Sequence, residues 1–345
     1  MKVGICGYPG SGKSTVFQAL APGAGSAKGG IAYGNIKVPD ERVDQLAEIF
    51  DPKRKVYAEI TFMDVGGAGG RYDAGAFPPD VVQHMRNADV LVHVVRNFES
   101  PMVADDANVE RDEGRFNDEL VLLDLGILER RQERFRKENK KGREREVNDR
   151  CVDFLEDGRP LRDLQMEPDH IATLTGIQLL SLKPLITVYN HGEGEWESVA
   201  SVLKDFQERG ADAVSMGMSA ELEAELAELE GEDLVEMLEG LGLERPARVA
   251  FVQAAYTLLD YISFLTSGKD ECRAWPIKKG TVARKAAGTV HSDIERGFIR
   301  AEVYELADLL EHGSEAALKS VGKIRLEGKD YVMKDGDVAN YRFNV

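Results

Sequence analysis

Apolar residues concentrate in four short runs, which longer polar and mixed segments separate. The runs are rich in β-branched side chains and almost continuous in apolar character, at residues 3–6, 59–63, 90–95 and 185–189. Strands that are buried on both faces have this pattern, and the intervening segments are long enough for crossover helices. Residues 14–20 and 40–50 have the composition and spacing of two such helices. The pattern predicts an α/β fold with a mostly parallel sheet.

Between residues 116 and 182 the pattern changes to helical spacing. One face of a predicted helix is formed by residues that recur three and four positions apart: Leu120, Leu123, Asp124, Ile127 and Leu128. A highly charged stretch follows, and a second amphipathic stretch lies around residues 168–182. We therefore predict an antiparallel pair of helices, an α-helical (coiled-coil) arm inserted into the sheet domain.

The C-terminal part has the pattern of a separate small module. From about residue 262, short β-like segments alternate with glycine turns at Gly280, Gly288, Gly328 and Gly336. This alternation is typical of a compact α+β domain. We expect three parts: a sheet domain formed by residues 1–115 and 184–261, the arm at 116–183, and the C-terminal module at 262–345.

Composition narrows the cellular setting and the partners. The 345 residues include 61 acidic and 44 basic side chains, a net charge of −17, which argues against a general nucleic-acid coat. Three scattered cysteines give no disulfide framework. Nothing resembles a signal peptide or the roughly 20 apolar residues of a membrane helix. We expect a soluble, cytoplasmic protein with no membrane partner.

The strongest chemical signal follows the first predicted strand. Gly7-Tyr8-Pro9-Gly10-Ser11-Gly12-Lys13-Ser14 matches G-x-x-x-x-G-K-[ST] at every fixed position. A glycine-rich loop lets backbone N–H groups converge on a polyphosphate, and the following helix adds its positive dipole end. Lys13 is expected to reach the β- and γ-phosphates and Ser14 to ligate magnesium. The residues assigned to nucleotide binding here are Gly7, Gly10, Ser11, Gly12, Lys13, Ser14 and Thr15.

A second element, Asp64-Val65-Gly66-Gly67, stands at the end of the next credible core strand. Asp64 is predicted to hold magnesium together with Ser14, usually through water, and Gly67 to turn its N–H toward the γ-phosphate. Lys13, Asp64 and Gly67 are therefore the candidate catalytic group. The D-x-x-G pattern is common by itself. It indicates a magnesium site here because it ends the core strand that follows a P-loop.

A third element, Asn190-His191-Gly192-Glu193, directly follows the strand at residues 185–189. Loops at the carboxyl ends of parallel strands are where ligands bind. GTPases normally have N-K-x-D here, and the acid binds the guanine edge. In this chain His191 takes the lysine position and Glu193 is one methylene longer than aspartate, so guanine recognition is expected to be impaired.

Together these elements resemble the YchF/Obg-like ATPase family. The resemblance extends over nearly the whole chain, in three groups of segments: residues 38–46, 93–99 and 182–184; residues 273–277, 286–293 and 297–301; and the ending at 328–345. The family has N-x-x-E where GTPases have N-K-x-D. The resemblance implies an ATP preference, a C-terminal TGS (β-grasp-like) domain, association with the ribosome, and Ser219 and Ala220 in the base-binding loop.

Two departures from the family pattern concern the P-loop and the segment that follows its helix. Gly10-Ser11 replaces the family's Asn-Val, and Gly34-Asn35 occupies the place where a second magnesium ligand is expected. The residue after Gly67 is Ala68, where Ras-like enzymes carry a water-orienting glutamine, although the family itself has an apolar residue there. A methyl group cannot polarise water, so slow hydrolysis is expected.

The arm reverses the charge of the chain locally. From Arg130 to Arg150 there are ten basic and five acidic residues. One interpretation is contact with ribosomal RNA, because phosphate contacts dominate such binding. The other is a solvated helix tip with i, i+4 ion pairs.

Several functions therefore remain open. The first is a slow, magnesium-dependent ATPase that acts as a conformational switch on the translation machinery. A GTPase using the same residues and a nucleotide-gated binding module with negligible turnover are the alternatives. A small-molecule kinase fits poorly, because no arginine-bearing lid is evident. His93, in an apolar strand, is expected to be a core residue.

Overall fold

The computed structural model describes residues 1–24, 31–65, 77–101, 103, 105–192 and 213–344. The chain divides into two compact units. The first comprises Met1–Asn35 and Thr61–Phe251, and the second comprises Ile36–Ile60 and Val252–Val345. The short segment Ile36–Ile60 thus groups with the C-terminal residues. The three-part division expected from the sequence stays a prediction.

A six-stranded sheet forms the centre of the first unit, in the order β2-β4-β1-β5-β6-β7. Its strands are β1 Lys2–Cys6, β2 Ala32–Lys37, β4 Glu59–Asp64, β5 Val90–Asn97, β6 Leu185–His191 and β7 Ala213–Met218. The five strands from β4 to β7 in this order run parallel. The four apolar runs of the sequence are four of these strands, so the predicted parallel sheet is confirmed.

Helices follow the strands along the chain. The helices described in the first unit are α1 Lys13–Leu20, α3 Pro79–Asn87, α4 Val109–Lys137, α5 Arg143–Glu156, α6 Pro168–Ala172, α7 Ala220–Leu226 and α8 Gly231–Gly240. A further helix, α9 Ala247–Leu258, begins in the first unit and ends in the second. The first helix buries Val16, Phe17 and Leu20. Because these apolar residues recur at helical spacing, α1 packs one face inward.

The long helices α4 and α5 lie between β5 and β6 and form the inserted arm. Val121 and Leu128 of α4 pack with Val147 and Cys151 of α5 in one buried cluster. Asp124, the charged member of the predicted apolar face, is fully buried. Its carboxylate accepts hydrogen bonds from the main-chain N–H groups of residues 180 and 181 and from the hydroxyl of Ser181. A buried carboxylate needs such donors, and here they join α4 to the segment that leads into β6.

The second unit has its own mixed sheet, in the order β11-β10-β12-β8-β9-β3. The strands are β3 Lys55–Val56, β8 Tyr261–Thr266, β9 Cys272–Lys278, β10 Phe298–Glu305, β11 Arg325–Glu327 and β12 Asp337–Phe343. Its helices are α2 Glu41–Phe50, α10 Ala283–Val290, α11 Ser292–Arg296, α12 Leu306–His312 and α13 Glu315–Ser320. Phe264 and Trp275 stack in its core, with ring centroids 6.3 Å apart. The predicted C-terminal α+β module is confirmed.

None of the helices in the described ranges is both long enough and apolar enough to cross a bilayer.

Candidate functional site

The loop from Gly7 to Ser14 connects β1 to α1 through a tight turn. The Ser11 N–H donates to the main-chain oxygen of Tyr8 at 3.1 Å, and Gly12 stands as the N-cap of α1. Gly10 and Gly12 have φ angles of +81° and +83°. Side chains with a Cβ rarely adopt this left-handed region, so the turn requires glycine at these two positions.

The glycines also allow close contact with neighbouring strands. A Cβ on Gly7 would lie 2.6 Å from the main-chain oxygen of Val94 in β5. A Cβ on Gly12 would lie 2.2 Å from Nδ2 of Asn190 in β6. Both distances are too short for a real Cβ, so two of the motif glycines are required by tertiary contacts of the loop.

Ser14 and Asp64, the two predicted magnesium ligands, lie side by side. The Ser14 hydroxyl donates to Oδ2 of Asp64 at 2.9 Å. Asp64 is only 5% exposed, and its Oδ1 has no hydrogen-bond partner among the described residues. Leaving a buried carboxylate oxygen without a donor is unfavourable unless a cation or water compensates it. The pair therefore fits a hard divalent cation, which prefers oxygen ligands.

Asn190 joins the phosphate loop to the start of α7. Its Nδ2 donates to the main-chain oxygen of Ser11 at 3.0 Å. Its Oδ1 accepts from the main-chain N–H of Ala220 at 3.0 Å. Asn190 is 4% exposed, so both bonds are buried. The asparagine thus fixes the positions of two loops that come from distant parts of the sequence.

A cavity of about 510 Å³ lies next to this junction. Its lining includes Gly12, Thr15, Asn190, His191 and Ala220, which the sequence assigned to nucleotide binding. A pocket of this size, directly beside the phosphate loop, has room for a base and a ribose. The structure thus brings Asn190, His191 and Ala220, three of the residues predicted to face the base, together around one cavity.

His191 is 3% exposed and accepts a hydrogen bond at Nδ1 from Nδ2 of Asn97, at 3.1 Å. The imidazole is therefore held by β5, where a GTPase would present a flexible lysine. Ser219 is the N-cap residue of α7, and its hydroxyl accepts from the Leu222 N–H. Ser219 is not among the residues that line the base-side cavity, whereas Ala220 is.

Two predicted site residues, Gly67 and Glu193, lie outside the described residues, as does Ala68. Lys13 is the first residue of α1 and is half-buried. For Gly67 and Glu193 the roles assigned from the sequence stay predictions.

Sequence reasoning missed the contribution of the β5 end. Phe98 and Glu99 line the base-side cavity, and Asn97 holds His191. These residues end or directly follow β5, and that position indicates a ligand site, because β5 lies next to β6 and ligands bind beyond the carboxyl ends of such parallel strands. An apolar ring and a carboxylate at that point could have been added to the candidate site.

The parallel sheet, the glycine loop before α1, the Ser14–Asp64 pair and the adjoining cavity define a P-loop nucleoside triphosphatase. A family model for the C-terminal part of YchF GTPases, described as a protein of unknown function (DUF933), matches residues 261–344. The ribosome-binding ATPase YchF of Bacillus subtilis is 35% identical over the whole of both chains. That of Escherichia coli O157:H7 is 36% identical over all of this chain and 99% of its own. The chain belongs to the YchF family.

Eukaryotic relatives and solved structures agree with this assignment. The Obg-like ATPase 1 of Oryza sativa subsp. japonica is 31% identical over all of this chain and 92% of its own. The structure of the Schizosaccharomyces pombe YchF GTPase covers 99% of this chain and 97% of its own, with a TM-score of 0.88 and 28% identity. A GTP-binding protein from Pyrococcus horikoshii shares the fold, with a TM-score of 0.62 and 18% identity over both whole chains.

Proposed function

We propose that this protein is a magnesium-dependent ATPase of low turnover that acts in the cytoplasm as a conformational switch on the ribosome. The observation that carries the proposal is the hydrogen-bonded pair Ser14 and Asp64, in which Oδ1 of Asp64 is buried without a described partner. The names of the bacterial relatives, which are ribosome-binding ATPases, support the substrate and the partner.

The Ser14 hydroxyl and the Asp64 carboxylate would hold Mg²⁺, which when bound neutralises phosphate charge. The chain's own groups do the rest of the binding. The N–H groups of the loop from Gly10 to Ser14 and the α1 dipole attract the phosphates, and Lys13 adds a full positive charge. These groups orient the triphosphate and stabilise charge that develops on it, which is the main contribution of a protein to phosphoryl transfer.

Two observations concern the choice of ATP over GTP. His191 is hydrogen-bonded to Asn97, and none of the described residues that line the base-side cavity is a lysine. Phe98 offers an apolar ring to a base of either kind. GTP hydrolysis by the same residues stays the alternative function, because the solved Schizosaccharomyces pombe relative is described as a GTPase.

Equilibrium binding of ATP and GTP, each with and without magnesium, tests the proposal on wild type and Lys13→Ala. We expect magnesium-dependent binding that favours ATP and is lost in Lys13→Ala. The double variant His191→Lys, Glu193→Asp should shift the preference toward GTP. Magnesium-independent binding, or binding that Lys13→Ala leaves intact, would contradict the proposed site.

A single-turnover assay separates the ATPase from a binding module without turnover. The protein is mixed in excess over ATP, and phosphate release is followed against a buffer control. Release above the control that depends on Asp64 supports slow hydrolysis. A rate equal to the control favours the binding module instead.

The arm supports the ribosomal part of the proposal. Four exposed basic side chains near its tip form no ion pair within the described ranges: Arg130, Arg136, Lys137 and Lys141. Other basic residues there are paired, for example Arg143 with Asp169 at 2.6 Å. Because unpaired surface cations are the groups available to phosphate, we propose that the arm tip contacts ribosomal RNA. A second contact through the TGS-like domain is proposed from the family resemblance.

A further inference from the structure

A second cavity lies beside the phosphate loop and is separate from the base-side cavity. It has a volume of about 230 Å³ and is lined by Tyr8, Pro9 and Ser11 of the loop, by Arg96 of β5, and by Arg111 and Arg115 of α4, among others. Lys13, Ser14 and Thr15 are not part of its lining. We call it the Arg96 cavity.

Arg96 is a buried cation with an unused donor. It is 4% exposed, and its Nη2 donates to the main-chain oxygen of Asp105. Its Nη1 has no hydrogen-bond partner among the described residues. A buried guanidinium nitrogen without an acceptor is unfavourable, and a charged donor more so than a neutral one. The cavity therefore presents a donor in need of an acceptor.

Ser11 supplies a second group of the same kind. It is 3% exposed, lines the Arg96 cavity, and its hydroxyl has no hydrogen-bond partner among the described residues. A hydroxyl can donate to an anion as readily as it can accept. Two buried polar side chains from different elements, β5 and the phosphate loop, thus line the same cavity with unsatisfied donors.

The charges at the rim reinforce a preference for anions. The guanidinium of Arg115 lies 5.8 Å from the centre of the Tyr8 ring and forms no ion pair in the described part of the chain. Arg111 is paired with Asp112 at 3.0 Å, so that aspartate is already neutralised. Asp105 is exposed at the rim. The buried charge of the cavity is that of Arg96.

We propose that the Arg96 cavity binds a small anion, either a carboxylate or a phosphate, between Nη1 of Arg96 and the hydroxyl of Ser11, with Arg115 at the entrance. Planar guanidinium donors match both kinds of oxyanion. Because Ser11 belongs to the phosphate loop and its main-chain oxygen accepts from Asn190, an occupant of this cavity touches the loop at Ser11 without contacting Lys13, Ser14 or Thr15, which do not line the cavity.

Isothermal titration calorimetry on the full chain tests the proposal with two probes, inorganic phosphate and succinate, at matched ionic strength. The Lys13→Ala variant serves as the background, because it weakens anion binding at the phosphate loop itself. We expect at least one probe to bind at millimolar or lower concentration in this background. The tighter probe identifies the chemistry of the occupant, and this measurement does not depend on whether the protein hydrolyses ATP.

Two variants, each made in the Lys13→Ala background, localise the binding. Arg96→Gln should weaken it by about tenfold or more, as expected for the loss of a charge-assisted hydrogen bond, and Arg115→Gln by a smaller factor. Arg115 is exposed, so its variant remains informative even if Arg96→Gln fails to fold. Arg162→Gln is the matched control, since Arg162 is also buried with an unpartnered Nη2 but lines a different cavity. The proposal is overturned if neither probe binds, or if binding survives Arg115→Gln unchanged or is lost equally in Arg162→Gln.

Discussion

The side-chain amide of Asn190 donates a hydrogen bond to the main-chain oxygen of Ser11 across 3.0 Å, although the two residues lie 179 positions apart. Through its Oδ1 the same amide also holds the N–H of Ala220. One buried side chain thus connects the phosphate loop with the loop expected to face the base. The first two predictions follow from this connection.

Replacing Asn190 by alanine should loosen the phosphate loop. Both bonds are buried, and an unsatisfied buried group costs about 1–3 kcal/mol. We expect nucleotide affinity to fall by roughly tenfold or more, as measured by titration with a fluorescent ATP analogue. Asn148→Ala is the matched control, because Asn148 is also buried and donates to Leu128 in the arm at 3.1 Å. Equal losses of affinity in both variants would refute a specific role for Asn190.

Gly12→Ala should abolish nucleotide binding through a collision as well as backbone strain. Its Cβ would lie 2.2 Å from Nδ2 of Asn190, and the φ angle of Gly12 is +83°. Gly158→Ala has similar strain, with φ +75°, but its Cβ would meet nothing within 4 Å. Nucleotide titration and thermal unfolding should therefore show lost binding in the first variant and a small stability loss, about 1 kcal/mol, in the second. Normal nucleotide affinity in Gly12→Ala would contradict this geometry.

Ser14→Ala and Asp64→Asn should both remove the magnesium dependence of nucleotide binding. Of the two groups that meet at 2.9 Å, Ser14→Ala removes the hydroxyl, and Asp64→Asn removes the negative charge and one carboxylate oxygen. A titration with Mg²⁺ at a fixed concentration of the fluorescent ATP analogue measures the change directly. Thr173→Ala is a control, since its hydroxyl lies in the arm and donates to the main-chain oxygen of His170. Magnesium dependence unchanged in Asp64→Asn would exclude Asp64 as a ligand.

His93 should make the protein less stable in acid. It is 1% exposed and stacks on Phe116, with ring centroids 3.9 Å apart. Burial, together with the nearby charge of Arg162, lowers the pKa of His93 from 6.5 to about 3. The unfolded chain therefore binds a proton that the folded chain does not, between these two pKa values. The contribution of neutral, buried His93 to the free energy of unfolding is therefore fully present above pH 6.5 and is lost as the pH falls toward 3.

At about pH 5 this difference amounts to roughly 2 kcal/mol. Urea unfolding of wild type and His93→Phe at about pH 7 and pH 5, followed by circular dichroism, measures it. We expect wild type to lose more stability than His93→Phe on acidification, since the variant keeps an aromatic ring but does not titrate. Identical losses would show that His93 is charged in the folded state or does not contribute.

Charge reversal at the arm tip should weaken ribosome association. Arg136 and Lys137 are exposed and form no ion pair within the described ranges. In Arg136→Glu, Lys137→Glu we expect binding in sedimentation assays to fall about tenfold or more, with a smaller dependence on salt concentration. Lys2→Glu, Arg159→Glu makes the same change in net charge at two exposed positions outside the basic stretch from Arg130 to Arg150. Equal weakening in both double variants would indicate a general charge effect rather than a contact at the tip.

Local requirements explain why so much of the fold and of the phosphate site was predictable. The motif residues from Gly7 to Ser14 are contiguous, and the backbone conformation of a phosphate loop depends on glycine at set positions. The buried strands β1, β4, β5 and β6 have continuous apolar runs because both faces of a parallel sheet are covered. His93 was correctly predicted to be in the core for the same reason.

The residues that line the base-side cavity and the Arg96 cavity could be identified only from the tertiary structure. Phe98, Thr15 and Ala220 line one cavity although they come from three distant segments. Ser11, Arg96 and Arg115 line the other in the same way.

The amino-acid sequence by itself determined that this protein has a phosphate loop on a parallel sheet, since those features require particular residues at short, regular intervals. Which side chains meet around that loop was decided only by the tertiary structure. Asn190 reaches Ser11 because β6 packs beside β5 in parallel register, and strand order in a sheet is not encoded in any local pattern.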